Sequence, residues 1–148
     1  MRVRDVMRTP VVSVAPEATL GETARLMQQR TVGCVAVVSG ETVLGMVTDR
    51  DLAVRGLGAA RSATAPVSEV MTVPVHAVGA GDDVDAAYRT MRRSAVRRLP
   101  VLDKGRLVGV VALDDLLMDV SRRLSELLGA VSWCVLAEPP DGPMPRAG

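Results

Sequence analysis

Shifting the chain against itself by 64 residues superposes Val6-Met7 on Val70-Met71, Pro10-Val11 on Pro74-Val75, Arg25 on Arg89 and Met27 on Met91, with no gap. The same shift lays Val32 on Val96, Val37 on Val101, Gly45 on Gly109, Val47 on Val111 and Asp51-Leu52 on Asp115-Leu116. About a quarter of the positions are identical, and most others with a buried pattern stay apolar. A duplication of this kind leaves few architectures open, because each copy must be one supersecondary unit and the two must share an interface. At 148 residues the chain can bury a real core but has no room for a large catalytic domain as well.

Each copy repeats one order of local signals. A short β-rich run, residues 11–14 or 75–78, precedes polar turn residues and a helix. In the first copy Thr19 and Glu22 have capping-box spacing, and Leu20, Ala24 and Met27 form an apolar stripe. In the second, Asp82 or Asp83 caps a stripe of Val84, Ala87, Tyr88 and Met91. A hairpin follows in each: runs 35–38 and 43–47 about Ser39-Gly40, and runs 99–102 and 107–111 about Asp103-Lys104-Gly105. A second helix starts near Asp49 in one copy and near Leu113 in the other. The latter is longer, with Leu113, Leu116, Leu117, Val120, Leu124, Leu127 and Leu128 on one face and Gly129 as its expected stop. The expected organisation is a first repeat over 1–56, a Gly, Ala and Ser-rich linker over 57–66, a second repeat over 67–129 and a flexible tail over 130–148, which holds four prolines. The fold class is α/β in the mixed α+β sense.

Composition narrows the function. Eighteen Lys and Arg against 17 Asp and Glu give no global attraction to nucleic acid or an anionic membrane. With no Phe, and only Tyr88 and Trp133 as aromatics, the chain lacks the stacking platform of single-strand binders. Cys34 and Cys134 are too few for a disulfide framework or a thiolate metal site. No apolar run reaches membrane length, and the arginines near the start precede no apolar leader, so a cytoplasmic protein is expected, with neither nucleic acid nor membrane as partner. His76, the lone histidine, reads as a strand residue rather than a metal ligand. Asp114-Asp115 does not make a magnesium site, because adjacent helical residues point in different directions. No Ser-His-Asp, Cys-His, Walker or zinc constellation appears, so the expectation is a non-enzyme that requires no cofactor.

The order strand, helix, hairpin, helix, with Gly45-Met46-Val47-Thr48-Asp49-Arg50-Asp51-Leu52 closing the first copy, resembles the CBS domain, whose tandem pair is called a Bateman module. The resemblance spans roughly residues 3–128, and segments 45–56 and 96–101 are similar to small stand-alone bacterial CBS pairs such as hypoxic-response proteins. It implies two sheets packed about a pseudo-twofold axis and two modules joined as a flat homodimer, with the long final helix as a dimer surface. It also implies an adenosine-containing ligand, AMP, ADP, ATP, NAD or S-adenosylmethionine, bound in clefts between the repeats.

The candidate ligand-binding residues are Thr48, Asp51, Arg97, Arg98 and Asp115. Thr48 and Asp51 form the family's Thr-x-x-Asp motif at the start of a helix, where free backbone N–H groups favour phosphate and a carboxylate accepts from ribose hydroxyls. A capping box needs the same residue types at the same spacing, and one pair can do both jobs. In the second copy Asp115 is kept but Ala112 replaces the threonine, so the clefts are expected to be unequal. Arg97 and Arg98 match a segment where nucleotide-binding members place basic residues near phosphates. The first copy has Gly33 and Cys34 there, so Arg97 and Arg98 would have to supply the phosphate charge in either cleft. The competing reading of the two arginines is a solvated basic patch with Arg92 and Arg93. The expected function is regulatory sensing of an adenosyl ligand. The alternative is a ligand-independent dimeric scaffold or stress-response interaction protein with degenerate clefts and an unknown protein partner.

Overall fold

A computed structural model describes residues 1–137. The first repeat comprises β1 (Ser13–Val14), α1 (Leu20–Arg30), β2 (Cys34–Ser39), β3 (Thr42–Thr48) and α2 (Asp49–Asp51). Helical winding continues past α2 as a wide π-type turn, Leu52–Gly56, and a tight 3-10 turn, Leu57–Ala59. The second repeat comprises β4 (Val78–Gly79), α3 (Val84–Ser94), β5 (Arg98–Asp103), β6 (Arg106–Ala112) and α4 (Leu113–Ala137). Each repeat holds a three-stranded sheet, ordered β1-β2-β3 or β4-β5-β6, in which a helix connects a parallel pair and a tight turn connects an antiparallel one. This is the mixed α+β fold of two repeats that the duplication predicts.

Local chemistry explains the element ends. The Thr19 hydroxyl accepts from the Glu22 N–H at 3.1 Å, and the Glu22 carboxylate accepts from the Thr19 N–H at 2.9 Å. Asp83, not Asp82, caps α3 by accepting from the Asp85 N–H at 3.0 Å, while Asp82 closes the preceding turn by accepting from the Gly79 N–H at 2.8 Å. Lys104 and Gly105 both take positive φ, 49° and 82°, as a two-residue hairpin turn of matching twist requires.

Several sequence expectations need correction. In α1 the buried stripe is Leu20, Thr23 and Met27, with Ala24 exposed; in α3 Ala87 and Met91 are buried and Val84 half-buried beside them, with Tyr88 52% exposed. At 100° per residue the positions three and four after Leu20 or Val84 flank the stripe at equal angles of about 50°, so the spacing does not choose between them. Thr23 is satisfied in the core by donating to the Thr19 carbonyl at 2.9 Å. The strands expected at 11–14 and 75–78 shorten to Ser13–Val14 and Val78–Gly79, so His76 stands before a strand rather than in one. Pro10 and Pro74, which have no N–H to give a ladder, begin the two stretches.

Residues 57–66 are ordered against α1, whose first N–H groups at Leu20 and Gly21 donate to the Ala65 and Ala63 carbonyls, each at 2.9 Å. Gly129 does not stop α4. It is absent from the positive-φ glycines, and Leu127, Leu128, Ala130 and Val131 carry the helix through it to Ala137. A mid-helix glycine costs only about 1 kcal/mol relative to alanine. The tail expected from residue 130 is therefore helical to 137, and residues 138–148 lie outside the described residues.

The packing unit is not the sequence repeat, because the copies exchange their leading segments. Val3 is fully buried in the core of the second repeat with Leu99, Val101 and Val111. Val67 and Val70 complete the core of the first with Val35, Val37 and Val47. Antiparallel bridges at Arg8 and Val110 and at Met46 and Thr72 pin the two exchanges. A Cβ on Gly109 would come within 2.9 Å of Met7 Cγ, and one on Gly45 within 2.9 Å of Met71 Cγ. The glycine and the Val-Met pair that recur in both copies thus touch across copies.

Candidate functional site

Among the cavities where the repeats meet, two are related by the 64-residue shift. One, about 350 Å³, is walled on one side by Cys34, Met46, Thr48, Asp49, Arg50 and Asp51, and on the other by Thr72, Pro74, Val75, His76, Ala95, Val96, Arg97 and Arg98. The other, about 310 Å³, brings Arg8, Pro10, Val11, Val12, Thr31, Val32, Gly33 and Cys34 against Arg98, Val110, Ala112, Asp114 and Asp115. The 64-residue shift maps one lining onto the other almost residue for residue, so the clefts are pseudo-twofold equivalents. Their chemistry differs where Thr48 becomes Ala112, Arg50 becomes Asp114, Thr72 becomes Arg8 and Arg97 becomes Gly33.

Four of the five sequence-predicted residues, Thr48, Asp51, Arg97 and Arg98, meet in the first cleft; Asp115 lies in the second. Thr48 ends β3 opposite Cys34, and its backbone is still extended as the chain turns into α2. Its hydroxyl accepts from the Asp51 N–H at 3.2 Å, while Asp51 Oδ2 accepts from the Thr48 N–H at 2.9 Å and the Thr48 hydroxyl at 3.1 Å. The capping box is therefore real. It uses one carboxylate oxygen; the other, Oδ1, has only Arg55 Nε at 3.9 Å and keeps lone pairs for a ligand.

In the second cleft Arg8 grips Asp115 through Nε, 2.9 Å from both carboxylate oxygens, and through a closer contact from Nη2 to Oδ1. That bond and the charge of Asp115 raise the Arg8 pKa further. Arg97 lines the first cleft but pairs with Asp114 of the second at 3.0 Å. The adjacent aspartates thus engage different arginines. Arg98 and Cys34, equivalents under the repeat, line both cavities. Burial pushes the Cys34 thiol up to about 11, with the charge of Arg98 opposing the shift. Arg8, Arg50 and His76 are among the lining residues that sequence reasoning did not select for the site; the repeat shift sets Arg8 against Thr72 and His76 against Val12, so it gives no sign of either.

The fold and its paired clefts define a two-repeat module in which ligand-sized cavities form between copies. The CBS domain profile matches residues 3–57 and 67–122, and the chain belongs to the CBS domain family, whose paired members are regulatory modules. A CBS domain-containing protein of Bacillus subtilis (strain 168) is 41% identical over 114 residues, 77% of this chain and 81% of its own length. Hypoxic response protein 1 of Mycobacterium tuberculosis is 32% identical over 125 residues, 83% of this chain and 85% of its own. Among solved structures, a CBS domain protein of Pyrobaculum aerophilum complexed with AMP superposes with a TM-score of 0.72 at 28% identity, over 78% of this chain and 90% of that one. Hypoxic Response Protein I, solved with two coordinated zinc ions, gives a TM-score of 0.73 at 29% identity, over 80% of this chain and 98% of that one. No three His, Cys, Asp or Glu residues among the described residues of this chain are grouped to hold such an ion. No helix among the described residues is long and apolar enough to cross a membrane.

Proposed function

We propose that this chain is a non-catalytic regulatory module that binds an adenosine-containing ligand, one of AMP, ADP, ATP, NAD or S-adenosylmethionine, in the cleft of Thr48 and Asp51. The observation that carries this is the make-up of that cleft. Met46, Val75, Ala95 and Val96 offer apolar walls for a base, Asp51 keeps one carboxylate oxygen for a ribose hydroxyl, and Arg50, Arg97 and Arg98 supply positive charge for a phosphate. A relative of the same fold is complexed with AMP. Two free cysteines fit a reducing, cytoplasmic setting. The exposed apolar side of α4 fits a homodimer.

The test is melting of the wild type and of Asp51→Asn against each of the five ligands, since a ligand that binds only the folded chain must stabilise it. A concentration-dependent rise is expected for at least one adenosyl compound. Asp51→Asn should weaken that ligand about tenfold or more, yet melt near the wild type when unliganded, because the amide oxygen can still accept the Thr48 N–H. No rise at millimolar ligand would sink the reading and leave the second one, a dimeric stress-response scaffold working through a protein partner. The observation favouring that second reading is Arg8, which already occupies the Asp115 carboxylate of the other cleft.

A further inference from the structure

We infer that the two clefts take phosphorylated ligands in competition, because a single guanidinium, Arg98, serves both. The inference rests on the proposed adenosyl ligand and adds a rule for how the two sites fill. Arg98 opens β5 opposite Ala112, as Cys34 opens β2 opposite Thr48, and these two equivalents are the residues that line both cavities. They therefore face each other where the clefts meet, and a cation there stands on one side of the pseudo-twofold axis only.

The other arginines of the second cleft and its border are committed. Arg8 is paired with Asp115 and Arg97 with Asp114, whereas no carboxylate among the described residues lies within ion-pair distance of Arg98. The first cleft is lined by three arginines, at 50, 97 and 98, of which Arg97 is paired with Asp114, and by Asp49 and Asp51. The second sets Arg8 and Arg98 against Asp114 and Asp115. A phosphate in the first cleft that engages Arg98 leaves the second with Arg8 held by Asp115, and with Asp114 held by Arg97. A second phosphate then meets two carboxylates that already hold arginines and finds no cation left unpaired. Placing both phosphates on Arg98 is no escape, since two AMP molecules would bring about four negative charges to one positive one. The first cleft also holds Thr48 and fills first.

Independent sites of unequal strength would give a similar two-step titration, so the decisive quantity is the affinity of the second cleft with the first cleft filled or blocked. Val75 lines the first cleft outside any strand and is half-buried, so Val75→Trp fills that cavity while leaving Arg98 in place. Calorimetric titration of the full chain with AMP is expected to show a tight event and a weaker second one. In Val75→Trp the remaining site should bind AMP about tenfold to a hundredfold more tightly than that second event, the worth of one charge-assisted hydrogen bond. Adenosine, which lacks the phosphate, should bind the second cleft equally in both proteins. Cys34→Arg supplies the missing guanidinium, and in it a filled first cleft should no longer weaken the second. An unchanged second-cleft affinity in Val75→Trp, or no AMP bound by that variant, overturns the competition while leaving the adenosyl reading intact. Failure of the wild type to bind AMP overturns the competition, and the adenosyl reading falls with it only if ADP, ATP, NAD and S-adenosylmethionine also fail to stabilise the chain.

Discussion

Cys34 and Cys134 share a side chain but not an environment. Cys34 sits half-buried between the clefts, and burial lifts its thiol to about 11 because a thiolate there would lose water; Arg98 recovers only part of that loss. Cys134 is exposed on α4. At pH 8 iodoacetamide should therefore modify one thiol, Cys134, quickly, and Cys34 at least tens of times more slowly, since only about 0.1% of it would be thiolate. Tryptic mass spectrometry reads the two sites separately, and equal rates would contradict the burial argument. The sign for stability follows: the fold favours the protonated thiol, so this contribution is complete below the ordinary thiol range and fades as pH rises toward 11. At this scale the sequence is most legible where partners are neighbours. Thr48 and Asp51 meet within one turn, so their spacing announces them. Arg8 and Asp115 lie 107 positions apart, and no local pattern marks Arg8 as the partner of that carboxylate.

Elements inherit the same division between near and far. The helices and hairpins follow from periodicity and turn residues, whereas the exchange of leading segments depends on contacts between copies. The recurring glycines at 45 and 109 were visible as letters; that each admits a methionine from the other copy was not. Gly109→Ala places a Cβ 2.9 Å from Met7 Cγ and 3.1 Å from its Cβ, so the segment carrying Val3 must shift. Urea unfolding should show a loss of about 1–3 kcal/mol, the usual cost of overpacking. Gly129→Ala tests the opposite situation. Nothing lies within 4 Å of its added Cβ, and the residue sits inside α4, so stability should rise by about 0.5–1 kcal/mol. A loss at Gly129 would mean that the chain needs a helix stop there, as the glycine first suggests to a reader of the sequence.

For the whole molecule, α4 poses the largest unsettled contact. Leu117, Val120, Leu124, Leu127 and Val131 recur at alternating spacings of three and four, and each is more than half exposed, as is Leu128 beside them. That alternation is the seam of a two-helix coiled coil. Six aliphatic side chains at roughly 100 Å² apiece approach the ~800 Å² that each partner of a stable interface contributes. The family profile ends at residue 122, so the seam carries past it along the same helix. In the proposed homodimer this face meets its copy, and the clefts, built from residues before 116, stay outside the contact. Replacing Leu124 and Leu127 together by glutamate sets like charges against each other across such a seam without touching either cleft. Sedimentation equilibrium should then show a dimer for the wild type and a monomer for the double variant, with the melting response to an adenosyl ligand preserved in both. A wild type that stays monomeric near 100 μM, well above the dissociation constant expected of such an interface, would reassign the α4 face to a different protein partner.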